Sequence, residues 1–281
     1  MKKIRSFFIT YLILAVGVFI VYQGLDFLFG QNKPFKSDQA EPMNDSLYLV
    51  AVGDSLTEGV GDSTQNGGYV PLTANLLRET NSIKEVTTKN YGKSGDRSDQ
   101  ILLRIQQQGE IQSDLKKADI IVLTVGGNDV IQTFKKDTLN INQDSFIQPK
   151  KKYETELKTI LSEFNKLNPK AQVYVFGIYN PYADLFPDIT EMQTILDSWN
   201  QSTKELVEKE EGVYLSLDDI FNLSKLPLSE DGVADSSLAA EQAEINPLLY
   251  EEDLFHPNDK GYELMAEKLY QAILKQRIAE E

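Results

Sequence analysis

Leu47-Tyr48-Leu49-Val50-Ala51-Val52-Gly53-Asp54-Ser55-Leu56-Thr57-Glu58-Gly59 is the stretch on which the fold turns. Its first half, 47–52, is a compact run of strand-forming residues, and Gly53 closes it. A run without alternation is the pattern of a strand buried on both faces, as in a parallel sheet. The pattern returns at 86–91, 120–125, 173–178 and 213–217. Between these runs, apolar positions three or four apart predict amphipathic helices at 70–77, at 101–105 with a possible extension to Ile111, at 153–167 and at 192–207. Tyr262, Met265, Leu269 and Ile273 form the apolar stripe of a terminal helix. Strands that alternate with helices predict an α/β domain with a mainly parallel, five-stranded sheet covered on both sides.

In such a sheet the ligand crevice lies at the carboxyl ends of the strands. Gly53-Asp54-Ser55 follows the first strand, 92–95 the second and Gly126-Gly127-Asn128-Asp129 the third, so the three stretches are expected at one edge. Each has an ordinary explanation taken singly. Asp54 and Ser55 suit a helix cap, Asn128 and Asp129 suit a turn, and Gly95 suits a left-handed turn position. The segment 222–252 is acidic and without rhythm apart from a short helical pattern near 238–243. It is a candidate lid or substrate wall just ahead of His256, and equally a solvated surface loop.

His256 is the one histidine among 281 residues, with Asp253 three positions before it and Pro257 directly after. A carboxylate at that spacing can accept the imidazole Nδ1 proton within a turn and leave Nε2 to act as a base on a serine hydroxyl. Ser55 is the candidate for that hydroxyl. Its setting is not the Gly-x-Ser-x-Gly elbow of the α/β-hydrolases.

Gly53-Asp54-Ser55-Leu56, Gly95 within 90–96, Gly126-Gly127-Asn128-Asp129 and Asp253-Leu254-Phe255-His256 resemble, in this order, the four sequence blocks of the SGNH (GDSL) hydrolases. The resemblance runs from Leu47 to Ile273. It implies a flavodoxin-like three-layer α/β/α sandwich and a cofactor-free, metal-free serine esterase or lipase. By the same resemblance Ser55 is the nucleophile, His256 the general base and Asp253 the residue that orients it. The backbone amides of Ser55 and Gly95 and the side-chain amide of Asn128 form the oxyanion hole. Those roles suit the chemistry, because acyl transfer builds charge on a carbonyl oxygen that preorganised donors must meet. One departure is Asp96-Arg97-Ser98 after Gly95, where many relatives carry small hydroxyl residues, and it predicts a more charged pocket rim. Glu58, Asp62, Glu251 and Glu252 lie near the serine and the histidine in sequence, where a solvated surface explains them better than a cation site.

Composition narrows the alternatives. Hydrophobic residues make up 41% of the chain, enough for a sizeable core, and a formal net charge of -15 argues against a nucleic-acid partner. The absence of cysteine excludes disulfides, thiolate catalysis, cysteine metal sites and a lipid-modified cysteine. Residues 1–30 open with Met1-Lys2-Lys3-Ile4-Arg5 and continue through apolar runs at 7–22 and 25–29. This predicts one N-terminal membrane helix with the rest of the chain outside the cytoplasm, or a cleaved signal peptide and a secreted product. Residues 31–45, with Pro34 and Pro42, read as a polar linker, and 46–281 as the hydrolase domain.

The expected function is a membrane-tethered extracytoplasmic esterase that cleaves carboxylic esters through an acyl-enzyme on Ser55. Lipid acyl esters or acetylated envelope glycans are the leading substrates. Acyl transfer to an acceptor other than water, and a non-catalytic envelope binding or scaffold protein, are the alternatives. Tyr179, Asn180 and Tyr182 are candidate pocket walls, although a turn at Pro181 accounts for them equally.

Overall fold

The computed structural model describes residues 45–80, 83–136, 143–183, 190–222 and 246–280. The anchor, all of the linker except Asp45, and the helical pattern at 238–243 lie outside the described residues. Five strands, β1 (Asp45–Gly53), β2 (Ile83–Gly92), β3 (Ile120–Thr124), β4 (Gln172–Phe176) and β5 (Val213–Leu215), form one sheet in the order β2-β1-β3-β4-β5. Every pairing is parallel. The order reverses at β1, so β1 and β3 flank the switch point where open α/β sheets bind ligands. Val52 pairs with Tyr91 on one side and Leu123 on the other, which brings the carboxyl ends of β2, β1 and β3 level.

Alternate residues of β1 enter different layers because successive side chains in a strand point to opposite faces. Leu49 and Ala51 pack with α2 (Tyr69–Arg78), α8 (Asp218–Phe221) and α9 (Asp259–Glu280). Val50 and Val52 pack with α3 (Ser98–Gln107), α4 (Gly109–Leu115), α6 (Ile147–Leu167) and α7 (Thr190–Lys209). The remaining α-helices, α1 (Ser55–Glu58) and α5 (Gly127–Lys136), begin within three residues of the ends of β1 and β3.

Several details differ from the sequence expectations. Burial on both faces fails for β2, where only Ile83 and Val86 are buried. This strand is at the sheet edge, and its exposed Lys84, Glu85 and Lys89 discourage pairing with another chain. The pattern from 101 to 111 is two helices, α3 and α4, separated at Gln108. Asp45, assigned to the linker, is the first residue of β1. The stretch from 127 onward, for which a turn after the glycine pair was the ordinary alternative, is the start of α5. Among the described residues no helix is long and apolar enough to cross a membrane.

Candidate active site

Ser55 is the first residue of α1 and is 5% exposed. Its N–H stands in the first turn, where no intrahelical carbonyl is available to it. The preceding Asp54 does cap the helix, its Oδ1 accepting from Leu56 N at 3.1 Å. That same oxygen accepts from Thr124 Oγ1 at 2.8 Å, and Thr124 Oγ1 accepts from Asp54 N at 3.2 Å. Thr57 Oγ1 links Thr124 Oγ1 at 2.8 Å to Tyr69 Oη at 2.9 Å. The chain reversal that carries Ser55 is thus tied to β3 and α2 by buried hydroxyls. Burial raises the Asp54 pKa despite the bonds from Thr124 and Leu56 N.

Gly95 has φ +81°, a left-handed conformation that favours glycine, while a Cβ there would meet nothing within 4 Å. Backbone conformation, rather than crowding, is what requires glycine at this position. The loop is fixed by Glu58, whose carboxylate accepts from Ser94 N. It is also fixed by Asn128, half-buried at the start of α5, whose Nδ2 donates to the Asp96 carbonyl at 2.9 Å. One hydrogen of the Asn128 amide is used in that bond, and its second remains available for a ligand. Gly126, at φ +107°, turns the chain out of β3, and a Cβ there would stand 3.0 Å from the Tyr153 ring.

Asp96 and Arg97 do not supply the charged rim expected of them. Asp96 is 3% exposed and its carboxylate accepts from Arg104 Nε at 2.6 Å. Arg104 in turn binds the carbonyls of Tyr91 and Gly53. Arg97 pairs with Asp99 and lines a different cavity from the one that holds Ser55. Asp129, also buried, accepts from Ser98 N at 3.0 Å and Ser98 Oγ at 2.6 Å, which anchors the first turn of α5 to α3.

His256 Nδ1 lies 2.5 Å from Asp253 Oδ2. The other carboxylate oxygen, Oδ1, accepts from His256 N at 3.0 Å and Phe255 N at 2.9 Å. Partial burial would raise the Asp253 pKa, but these three hydrogen bonds outweigh it and hold the group below the ordinary carboxylate range. Leu254, at φ +51°, completes the tight turn between the two residues. Tyr179 Oη donates to the Phe255 carbonyl, and the Tyr179 ring stacks on Phe221 at 4.2 Å.

Ser55, Gly95, Asn128, Asp253 and His256 all line one cavity of about 600 Å³. Tyr179 and Tyr182 line it as well, whereas Asn180 does not. Asn180 instead forms the turn, its Oδ1 accepting from Tyr182 N at 3.1 Å. None of the described residues of 222–252 lines this cavity. Asp62 organises its own loop by accepting from the backbone amides of Thr64, Asn66, Gly67 and Gly68. Among the described residues no group of three or more histidine and carboxylate side chains is placed to hold a metal ion. The apolar walls from α5 and α7 were not anticipated, although the apolar spacing at 130, 131 and 134 was a usable signal.

The profile of the GDSL-like lipase/acylhydrolase family matches residues 51–264. The chain is 34% identical over 236 residues to the uncharacterized protein YpmR of Bacillus subtilis (strain 168), covering 84% of each chain. It is 27% identical over 228 residues to the spore germination lipase LipC of Bacillus licheniformis, covering 80% of this chain and 95% of that one. The solved structure of the lipase Lip_vut3 from a goat rumen metagenome superposes with a TM-score of 0.61 at 25% identity, covering 80% of this chain and 97% of the other. Axe2, an acetylxylan esterase from Geobacillus stearothermophilus, shares the fold with a TM-score of 0.55 at 18% identity, covering 82% and 95%.

Proposed function

We propose, from the premise that the chain belongs to the GDSL-like lipase/acylhydrolase family and is an ester-hydrolysing enzyme, that it works through an acyl-enzyme on Ser55. The observation that carries this reading is the Asp253–His256 Nδ1 contact of 2.5 Å within a cavity also lined by Ser55, Gly95 and Asn128. With Nδ1–H committed to Asp253, the His256 Nε2 lone pair takes the Ser55 proton as Oγ attacks the ester carbonyl. The tetrahedral oxyanion accepts from the N–H groups of Ser55 and Gly95 and from Asn128 Nδ2. Collapse expels the alcohol, which leaves with the proton held by His256. Water, deprotonated by the same imidazole, then attacks the acyl-enzyme, releasing the acid and restoring Ser55.

In this reading the enzyme is held at the outer face of the cell membrane by residues 1–30 and a linker at 31–45, with the catalytic domain outside the cytoplasm. The basic start and the apolar runs that follow support that placement. Lipid acyl esters and acetylated envelope glycans are the substrate classes considered, and the names of LipC and Lip_vut3 favour the first. Fluorophosphonate labelling of the full chain tests the chemistry. A single adduct on Ser55 is expected, lost together with aryl ester hydrolysis in Ser55→Ala. Retained turnover in that variant sinks the mechanism, and protease accessibility of the domain on intact protoplasts tests the placement.

A further inference from the structure

Beyond the reacting groups the cavity is walled by apolar side chains. Val130, Ile131 and Phe134 come from α5, Met192 and Leu196 from α7, and Ile178 from just after β4. Its polar lining is concentrated in the groups assigned to the reaction, with Ser94, Lys135 and Tyr182 as exposed members. An acetyl group would leave most of a cavity of about 600 Å³ unfilled. Sugar hydroxyls placed against these walls would lose water without gaining partners, a costly exchange. A hydrocarbon chain meets neither difficulty.

We infer, on the basis of the serine esterase reading above, that the walls from α5 and α7 hold the acyl chain of the substrate and select a medium-length acyl group over acetyl. The orientation follows from α5 itself. Asn128, assigned to the carbonyl oxygen, lies in its first turn, and the apolar residues at 130, 131 and 134 continue along the same helix. The acyl chain on the carbonyl carbon therefore has an apolar wall beside it. The leaving alcohol must instead meet His256, which a separate segment supplies. Burial of each further methylene is worth roughly fourfold in binding.

The test is kcat/KM of the full chain on acetyl, butanoyl, hexanoyl and octanoyl esters of one phenol, kept below their micelle-forming concentrations. The expected octanoyl-to-acetyl ratio is at least about tenfold. A ratio of one or less overturns the acyl-chain inference while leaving the esterase intact, whereas failure to cleave any ester overturns both. Methyl octanoate is expected to be the better substrate when compared with octyl acetate, and the reverse order would place the chain on the alcohol side and refute the assignment. Filling the wall with Ile131→Trp, or separately with Met192→Trp, is expected to lower the octanoyl-to-acetyl ratio at least about tenfold. An unchanged ratio in both folded variants refutes the assignment.

Discussion

The serine and the histidine of the proposed site are held in different ways. Ser55 is buried in a reversal whose side chains bond to β3 and α2, through Asp54, Thr57, Thr124 and Tyr69. His256 sits in a segment held by backbone contacts and by its own Asn258, whose Nδ2 donates to the carbonyls of Pro247 and Leu249. Tyr250 N donates to the His256 carbonyl at 2.7 Å, Leu249 and Pro257 form an isolated antiparallel bridge, and Tyr179 supplies one side-chain bond to the Phe255 carbonyl. The position of the nucleophile is therefore a property of the sheet, while that of the base belongs to one loop, its Asn258 and one tyrosine. Lesions in the first region should cost stability and activity together, and lesions in the second should separate them.

The largest expected effect is His256→Ala. Loss of the base should lower kcat by about 10⁴ or more, with no second histidine for rescue. Tm should fall by less than about 4 °C, the response of a domain this size to roughly 1 kcal/mol. Substantial residual turnover, or a collapse in Tm, would break the comparison. Thr124→Val should behave in the opposite sense. It removes the hydroxyl that serves Asp54 N, Asp54 Oδ1 and Thr57, leaving a buried carboxyl one donor short at a cost of about 3 kcal/mol. Thermal melting should show that loss alongside reduced kcat. A variant that melts like the parent would mean that this network does not fix the serine.

Tyr179→Phe sharpens the contrast at smaller scale. The ring can keep its place on Phe221 while the bond to the Phe255 carbonyl disappears, a loss of about 1 kcal/mol. We expect kcat/KM to drop about fivefold, since each 1.36 kcal/mol is worth tenfold, with Tm moving by no more than about 4 °C. A drop in Tm without any loss of activity would assign Tyr179 to the core alone.

The sheet was legible because four of its five strands are apolar runs placed between helical patterns, and the crevice followed from which loops end those runs. The meeting of Ser55, Gly95 and Asn128 was legible for the same reason, whereas the place of Asp253 and His256 beside them was implied by the family resemblance. The supports were not, because they join distant positions. Thr124 reaches Asp54 across 70 residues, and Tyr179 reaches Phe255 across 76. Local sequence also misled at Asp96, whose charge is absorbed by Arg104 of α3. The glycine pair at 126 and 127 concealed α5, since glycine suggests a turn while only Gly126 takes the left-handed conformation. The apolar walls depend on α5 facing α7, a juxtaposition set by the fold rather than by any local motif.

The two regions each contribute a carboxyl group whose pH behaviour should run in opposite directions. Burial raises the Asp54 pKa in the folded state, so folding favours its protonated form. Relative to a non-titrating Asp54→Asn variant, the parent should lose stability as pH rises from about 3.9, the unfolded value, through the raised folded one. Asp253 is lowered: burial opposes the charge, but the bonds from His256 Nδ1 and the two amides prevail. Its contribution is complete above about pH 3.9 and is lost as pH falls through the folded value. Because the Asp253 side chain is 34% exposed, solvent screening should hold that contribution well under about 1 kcal/mol. Urea denaturation from pH 3 to 7 reads both differences. The parent-minus-Asp54→Asn difference should grow on acidification, and the parent-minus-Asp253→Asn difference should shrink below about pH 4. The same sign for both would mean that the base segment is as closed to solvent as the serine turn, and the contrast between the two regions would fail.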